Sequence, residues 1–274
     1  MTVPFQARVA RDVVVVEGPD ATTFLHSLVS QDLEPVAVGA SVHSLLLQPQ
    51  GKLLADFVAL RAEADVWWCV CEGGFGPALA EGLNRFKIRV KAEVREVAVA
   101  ALAVRGVQPL AAPGPRVQVV TVDWPGAPGF DALGPEDAIA ALSHALDAPV
   151  VDADTFERER IEAGVARQGF DVDERTIPQE AGLELTAVSF TKGCFLGQEL
   201  VCRIDTRGHV NRNLRRLRAD GEAFARGAAV VLDGKEIGEV TSASRGVALA
   251  MLRREVEPDA RVDAGGIAAV VEAL

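Results

Sequence analysis

Cys194 stands in the run Thr191-Lys192-Gly193-Cys194-Phe195-Leu196-Gly197-Gln198-Glu199, between two glycines and two residues after a lysine. Gln198 to Asp205 has helical character, so the thiol lies at the approach to a helix N-terminus. Unpaired N–H groups, the positive end of the helix dipole and a nearby ammonium all favour thiolate there. The chemistry this points to is that of a single reactive thiol. The competing reading is a glycine-punctuated turn around a small, buried, inert cysteine. Cys69 and Cys71 alternate within an apolar strand-like run and face one side of it, a spacing poor for zinc. Cys202 would lie about 12 Å from Cys194 along one helix, too far for a disulfide.

Carboxylates and arginines supply the other candidates. In Arg160-Ile161-Glu162-Ala163-Gly164 a helix end meets a glycine, and Glu162 could project into a cleft. A carboxylate there could accept paired N–H groups of a pterin. Alternatively, Glu162 is surface charge paired with Arg158. Asp32 closes a helix, where the dipole disfavours it. Asp56 interrupts the apolar run Leu54-Ala55-Phe57-Val58 and is either outward-facing or poised. Arg203, Arg207, Arg212, Arg215, Arg216 and Arg218 form a basic cluster suited to carboxylate tails, or a solvated strand face. The histidines His26, His43, His144 and His209 are scattered and make no ligand pair by spacing. Nucleophile-elbow, P-loop and dinucleotide-binding motifs are absent.

These groups must be positioned by a mixed fold. Strands are expected over Val13–Val16, Val42–Leu47, Leu53–Arg61, Val66–Cys71 and Ile88–Val97, and helices over Ala21–Leu28 and Pro77–Phe86. Val99–Val122 is strand-like, broken by Pro109 and by Ala111 to Pro115. Trp124–Gly134, rich in proline and glycine, reads as loop. Pro135–Leu146 reads as helix, Asp154–Ala163 as a charged helix start, and Asp171–Leu185 as largely irregular. Beyond Gly208 come short strands, with Asp233-Gly234 a hairpin signal between Val230–Leu232 and Lys235–Ile237.

The 274 residues suffice for two or three domains. A net charge of −11 argues against stable nucleic-acid binding. No apolar run reaches membrane-spanning length. Met1–Arg11 lacks signal-peptide features and four cysteines make no disulfide framework, so a cytoplasmic location is expected.

Taken together, the motifs resemble the YgfZ/GcvT-related, folate-binding superfamily that contains the glycine-cleavage T-protein. Lys192-Gly193-Cys194-Phe195-Leu196-Gly197-Gln198-Glu199 looks like the Lys-Gly-Cys-Tyr-x-Gly-Gln-Glu signature of the YgfZ branch, with Phe195 in place of tyrosine. Ile177 to Leu183, Arg160 to Gly164, the Ser30-Gln31-Asp32 corner and Gly238 to Ser242 are also similar to family patterns. The resemblance implies a three-part, ring-like α+β fold of T-protein type, with a central folate cleft and a C-terminal β-barrel. It implies an N-terminal α+β domain over 1–98, a second over 99–207 interleaved with it, and the barrel over 208–274. The implied ligand is tetrahydrofolate or a derivative. The implied role is assembly or repair of iron–sulfur clusters in client enzymes, among them radical enzymes that thiolate tRNA. By position, Glu162 would read the pterin, with Arg160, Asp32 and Arg203 as further folate contacts. Cys194 would carry the thiol function, tuned by Lys192. The alternative is an aminomethyltransferase or folate-dependent demethylase with Asp56 as its carboxylate. T-proteins carry two aspartates where this chain has Ala55 and Asp56, which counts against that alternative.

Overall fold

Val13, Val14, Val15 and Val16 are all buried, because the strand that holds them is covered on both faces. A computed structural model, describing residues 3–109, 114 and 116–274, shows how. Two strands open the chain, β1 (Phe5–Val9) and β2 (Arg11–Glu17), and they part into different sheets. Val14 and Val16 pack under α1 (Ala21–Leu28) through Phe24 and Leu25, and under α2 (Gly76–Asn84) through Leu79 and Leu83. Val13 and Val15 pack the other way, onto Ala101, Val120 and Leu133 of the second sheet.

The first sheet adds β3 (Ser41–Leu47), β4 (Leu53–Glu63), β5 (Val66–Glu72) and β6 (Glu93–Val97), in the order β3-β4-β5-β2-β6. The second adds β7 (Ala100–Arg105), β8 (Gln118–Trp124) and β9 (Ala127–Gly134), in the order β1-β7-β9-β8. Ile139 and Leu142 of α3 (Glu136–Ala145) cover its outer face. The layers thus run helices, sheet, sheet, helix. Because β1 pairs with β7, the chain's first strand belongs to the second sheet.

The stretch Trp124–Gly134 corrects the expected loop: β9 is an inner strand of that sheet. Pro125-Gly126 forms the two-residue turn of the β8–β9 hairpin, with Trp124 opposite Ala127. Proline followed by glycine at φ 76° is the order a type II turn requires. Gly129 then lets two strands approach, since a Cβ there would lie 2.0 Å from the Val104 carbonyl oxygen. The glycine and proline content read as loop is the hairpin's own turn and close contact. The expected break at 111–115 falls, apart from Gly114, outside the described residues.

The last unit is a closed barrel of β10 (Arg212–Ala223), β11 (Ala229–Leu232), β12 (Lys235–Ala243), β13 (Arg245–Arg253), β14 (Arg261–Ala264) and β15 (Ile267–Glu272), in the order β10-β13-β12-β11-β14-β15. Asp233 and Gly234 both take positive φ, 50° and 75°, as a tight β11–β12 turn needs. Closure removes the edge strands.

The bridge from sheets to barrel is α4 (Ala153–Glu162), a 3-10 turn at Pro178–Glu180, α5 (Glu184–Ala187) and α6 (Gln198–Arg207). Ile161 of α4 is buried against Leu214, Val247 and Leu249 on the barrel's outer wall. Leu183, Ala187, Phe195 and Val201 pack on Leu45, Leu47 and Leu53 of the first sheet. A cavity opens between the two sheets, α4 and the segment that leads to the barrel. Among the described residues no helix is long and apolar enough to cross a membrane.

Candidate functional site: a pinned cysteine loop and a central cavity

The loop carrying Cys194 is fixed at Lys192, Phe195, Leu196 and Gly197, while the thiol itself is exposed. Lys192 reaches across to the end of α1, its Nζ donating to the carbonyl oxygens of His26 (2.5 Å), Val29 (2.8 Å) and Gln31 (3.1 Å). These are carbonyls left unpaired where α1 stops, and an ammonium there complements the dipole. Burial pulls the Lys192 ammonium down to about 8, against Asp32 and Glu34, which hold its proton. Its three protons serve three carbonyls, so Lys192 anchors the loop; the sequence expectation made it a tuner of the thiol. Phe195 is buried in the core shared with β3 and β4. The Leu196 N–H donates to the Leu28 carbonyl at 3.3 Å. Gly197, at φ 77°, caps α6 and packs on the β3–β4 turn, where a Cβ would lie 2.4 Å from the Gln48 carbonyl oxygen.

Cys194 therefore precedes α6 by a short loop and lies outside its first turn. The other thiols differ. Burial pushes the Cys69 thiol up out of the ordinary range and the Cys71 thiol up to about 12. Cys202, on α6, is also raised by burial and by Asp205. Of the four cysteines only Cys194 is exposed.

The cavity, of about 870 Å³, lies between the two sheets' ends, α4 and the 165–186 segment. Its floor is ionic. Arg11 Nε donates to Asp131 Oδ2 at 2.8 Å and Arg11 Nη1 to Glu72 Oε2 at 2.8 Å. Arg167 closes on the other oxygen of Glu72 at 2.7 Å. Arg105, fully buried, stacks on Trp124 at 4.3 Å. Its Nη2 lies 2.9 Å from Asp131 Oδ1, an ion-pair contact outside hydrogen-bond alignment. Among the described residues, Asp131 Oδ1 and Arg105 Nε and Nη2 have no hydrogen-bond partner. Burial opposes the charge on Asp131, but Arg105 and Arg11 hold its carboxyl below the usual range. Burial lowers Arg105 despite Asp131. Arg105 and Asp131 thus face each other as a buried ion pair beneath the cavity.

The sequence candidates fall into three places. Asp56 and Arg160 border the cavity. All the donor nitrogens of Arg160 are occupied within the chain, by Glu157, Asp171, Ser242 and the Val165 carbonyl. Glu162 is outside the cavity lining. Its carboxylate accepts from Arg218 Nη1 at 2.8 Å, on the barrel side, so its partner is neither a cavity ligand nor Arg158. The fork of Arg218, raised by Glu162 against burial, is shared with Glu272. Arg212 and Arg216 are likewise paired, with Glu180 and Glu272. Half of the basic cluster, Arg212, Arg216 and Arg218, is thus paired with the chain's own acids. Arg203 is exposed on α6, away from the cavity. Asp32 groups with His26 and Glu34, their ligand atoms within 4.8 Å of one another, and Lys192 supplies the positive charge there.

His43 was missed. Its Nε2 lies 2.5 Å from Asp56 Oδ1 and its Nδ1 2.9 Å from Thr186 Oγ1. The antiparallel register pairs His43 with Val58, which makes Asp56 its diagonal neighbour on the same face. A plain turn at Gln48–Gly51 would set His43 directly opposite Asp56; a register shift at Leu46/Leu47 moves the pair to the diagonal.

Two antiparallel sheets, a closed barrel and a cavity at their junction define a T-protein-type α+β chain. Residues 11–112 match the GCVT N-terminal domain, and residues 212–273 match the CAF17 C-terminal beta-barrel domain. The fold is that of the glycine cleavage system aminomethyltransferase T from Bartonella henselae, with a TM-score of 0.87 at 21% identity, over 100% of this chain and 86% of that one. The chain thus joins a stretch that matches the GCVT N-terminal domain to a CAF17-type C-terminal barrel, on the fold of an aminomethyltransferase T. It is similar to the "Iron-sulfur cluster assembly factor IBA57 homolog, mitochondrial" of Mycosarcoma maydis, 27% identical over 74% of this chain and 54% of the relative. It is also similar to the aminomethyltransferase of Bordetella petrii, 30% identical over 63% of this chain and 55% of that protein. The chain spans little more than half the length of the fungal relatives.

Proposed function

We propose that this chain is an accessory factor for iron–sulfur cluster assembly that holds a reduced folate in its central cavity and presents Cys194 to its clients. The observation that carries the proposal is the division of labour between loop and cavity. One exposed thiol sits on a loop pinned at Lys192, Phe195 and Gly197. A pinned loop presents that thiol to a large partner at little cost in ordering. The fungal relatives named as iron–sulfur cluster assembly factors support the class of function. Their names place them in mitochondria; for this chain we keep the cytoplasm as the proposed location.

Tetrahydrofolate fits the residues that line the cavity. The pterin ring presents N–H donors beside an amide oxygen, and the cavity lining holds the carboxylates Asp131, Glu72 and Asp56 and the arginines Arg11 and Arg167. Because Asp131 lines the cavity and Glu162 does not, we assign the pterin-reading role to Asp131. Trp124 on the wall offers an aromatic face, and Arg11 and Arg167 keep the floor near neutral. Folate itself would supply one-carbon chemistry or simply occupy and shape the cavity. The chain's contribution is to bind and orient it.

Titrating the protein with tetrahydrofolate under anaerobic conditions, following Trp124 quenching, tests this. Asp131→Asn is expected to weaken binding by about 30-fold, the loss of one charge-assisted pair. Glu162→Gln is expected to leave affinity unchanged. Weakening by Glu162→Gln alone would return the role to Glu162 and contradict the assignment.

A further inference from the structure

The cavity has a second polar anchor, away from the Asp131 floor. His43 on β3 and Asp56 on β4 meet at 2.5 Å, and both line the cavity. The pair is built rather than accidental. Gln168 holds the β4 backbone at this point, its Oε1 accepting from the Asp56 N–H at 2.9 Å and its Nε2 donating to the Leu54 carbonyl at 2.9 Å. Thr186 on α5 holds the far nitrogen of the imidazole at 2.9 Å. Asp56 gives one oxygen, Oδ1, to His43; among the described residues Oδ2 takes no hydrogen bond.

We propose that His43 is a positioning residue of the cavity: it grips Asp56 from behind, so that Asp56 Oδ2 accepts an N–H group of the bound heterocycle, and its protonation sets how strongly that oxygen accepts. This rests on the reading of the cavity as a folate site. The chemistry follows from the contacts. With Asp56 ionised, Nε2 carries a proton in either state of the ring. Nδ1 is an acceptor in the neutral ring and a donor in the imidazolium. A threonine hydroxyl serves both, by turning its own hydrogen. The ring can therefore change charge without moving. When His43 is protonated the pair is neutral and Oδ2 is a weak acceptor. When His43 is neutral the pair carries the full carboxylate charge.

Burial works against a charged His43, and Asp56 outweighs it, so the ring titrates above its ordinary value. Other titratable groups on the elements packed against β3 are Arg61 and Glu63 at the far end of β4, Asp123 on β8 and Glu184 on α5. Arg61 is taken up by the Val36 and Ala64 carbonyls. Among the described residues, Asp56 is the charged group hydrogen-bonded to the ring.

Two measurements decide the matter, with 5-formyltetrahydrofolate as the stable probe. Ring nitrogen shifts of the ligand-free protein should show His43 titrating above the ordinary histidine value, and Asp56→Asn should abolish that elevation. Probe affinity should then rise by about 5-fold as pH increases through the His43 titration. His43→Gln, whose amide can still donate to Asp56, should bind with a flat pH profile. His43→Ala should lose affinity at every pH. Binding whose pH profile is the same in wild type and His43→Gln overturns the inference while leaving the folate reading intact. Absence of probe binding by the wild type, with Asp131→Asn likewise silent, overturns the folate reading and this role with it.

Discussion

Arg160→Met is expected to lower the stability of the folded chain by about 3–5 kcal/mol, the largest loss we assign to any single side chain. The guanidinium is almost wholly buried where the α4–barrel contact meets the cavity wall. It gives Nη1 to Asp171 at 2.8 Å, Nη2 to Ser242 at 2.6 Å and to Glu157 at 2.7 Å, and Nε to Glu157 at 3.0 Å. Burial opposes its charge, and Glu157 and Asp171 overcome this, so it binds its proton more tightly than a free arginine. Methionine would fill much of the space and remove the charge. Asp171, whose side chain is fully buried, would keep Thr241 and the Arg167 N–H but lose its counter-ion. An uncompensated buried carboxylate is the cost. In a chain of this size the melting temperature should fall by roughly 10 °C. Adding Asp171→Asn should recover part of the loss, because the two sites share one network. Melting within a degree or two of wild type would show that Arg160 is not structural and is free for a ligand.

Gly197→Ala is the second. Two penalties coincide at this position. The residue takes φ 77°, which costs an L-residue about 1–2 kcal/mol. A Cβ would also lie 2.4 Å from the Gln48 carbonyl oxygen and 3.1 Å from Gly51 Cα, which are backbone atoms that cannot swing away. Gly51 faces the same joint, its own Cβ position 2.9 Å from the Gly197 carbonyl oxygen. The β3–β4 turn and the start of α6 fit only because both residues lack side chains. We expect about 3 kcal/mol lost in total. Hydrogen exchange should speed up over 189–200 and over the 48–51 turn, with the barrel unaffected. Cys194 should lose its fixed presentation. Unchanged exchange in the loop would show that the joint tolerates a methyl group and does not hold the thiol in place.

These two residues also mark how far the sequence could be read. Runs such as Leu53–Arg61 and the Asp233-Gly234 hairpin were legible because their signals are local: period-two burial and a turn that demands positive φ. Gly197 and Cys194 were legible as a motif, and Arg160 and Asp56 as charged residues in apolar or helical settings. Which partner each charge takes was not. Glu162 could be matched to Arg158 along its helix, but its partner is Arg218, on another unit. Lys192 lay two residues from Cys194, but its ammonium answers a helix end more than 160 positions earlier. Such choices depend on how the sheets, helices and barrel dock, and no local pattern encodes that. β1 was missed because five residues carry little signal; its partner β7 comes after the whole first sheet. β9 was missed because proline and glycine mean loop locally, while here they shape a hairpin. The His43–Asp56 pair lay between these cases. Both strands were expected, and only their register was lacking.

The central claim is that Cys194 acts on clients from a loop whose fold does not need it. The direct measurement is complementation: remove the gene, assay cluster-dependent enzymes, and restore either the wild-type chain or Cys194→Ala at matched abundance. Because the thiol is exposed and Gly193 beside it is unconfined, the alanine chain should fold and melt as wild type does. Wild type should restore the enzymes and Cys194→Ala should not. Full restoration by a stable Cys194→Ala chain would contradict the account.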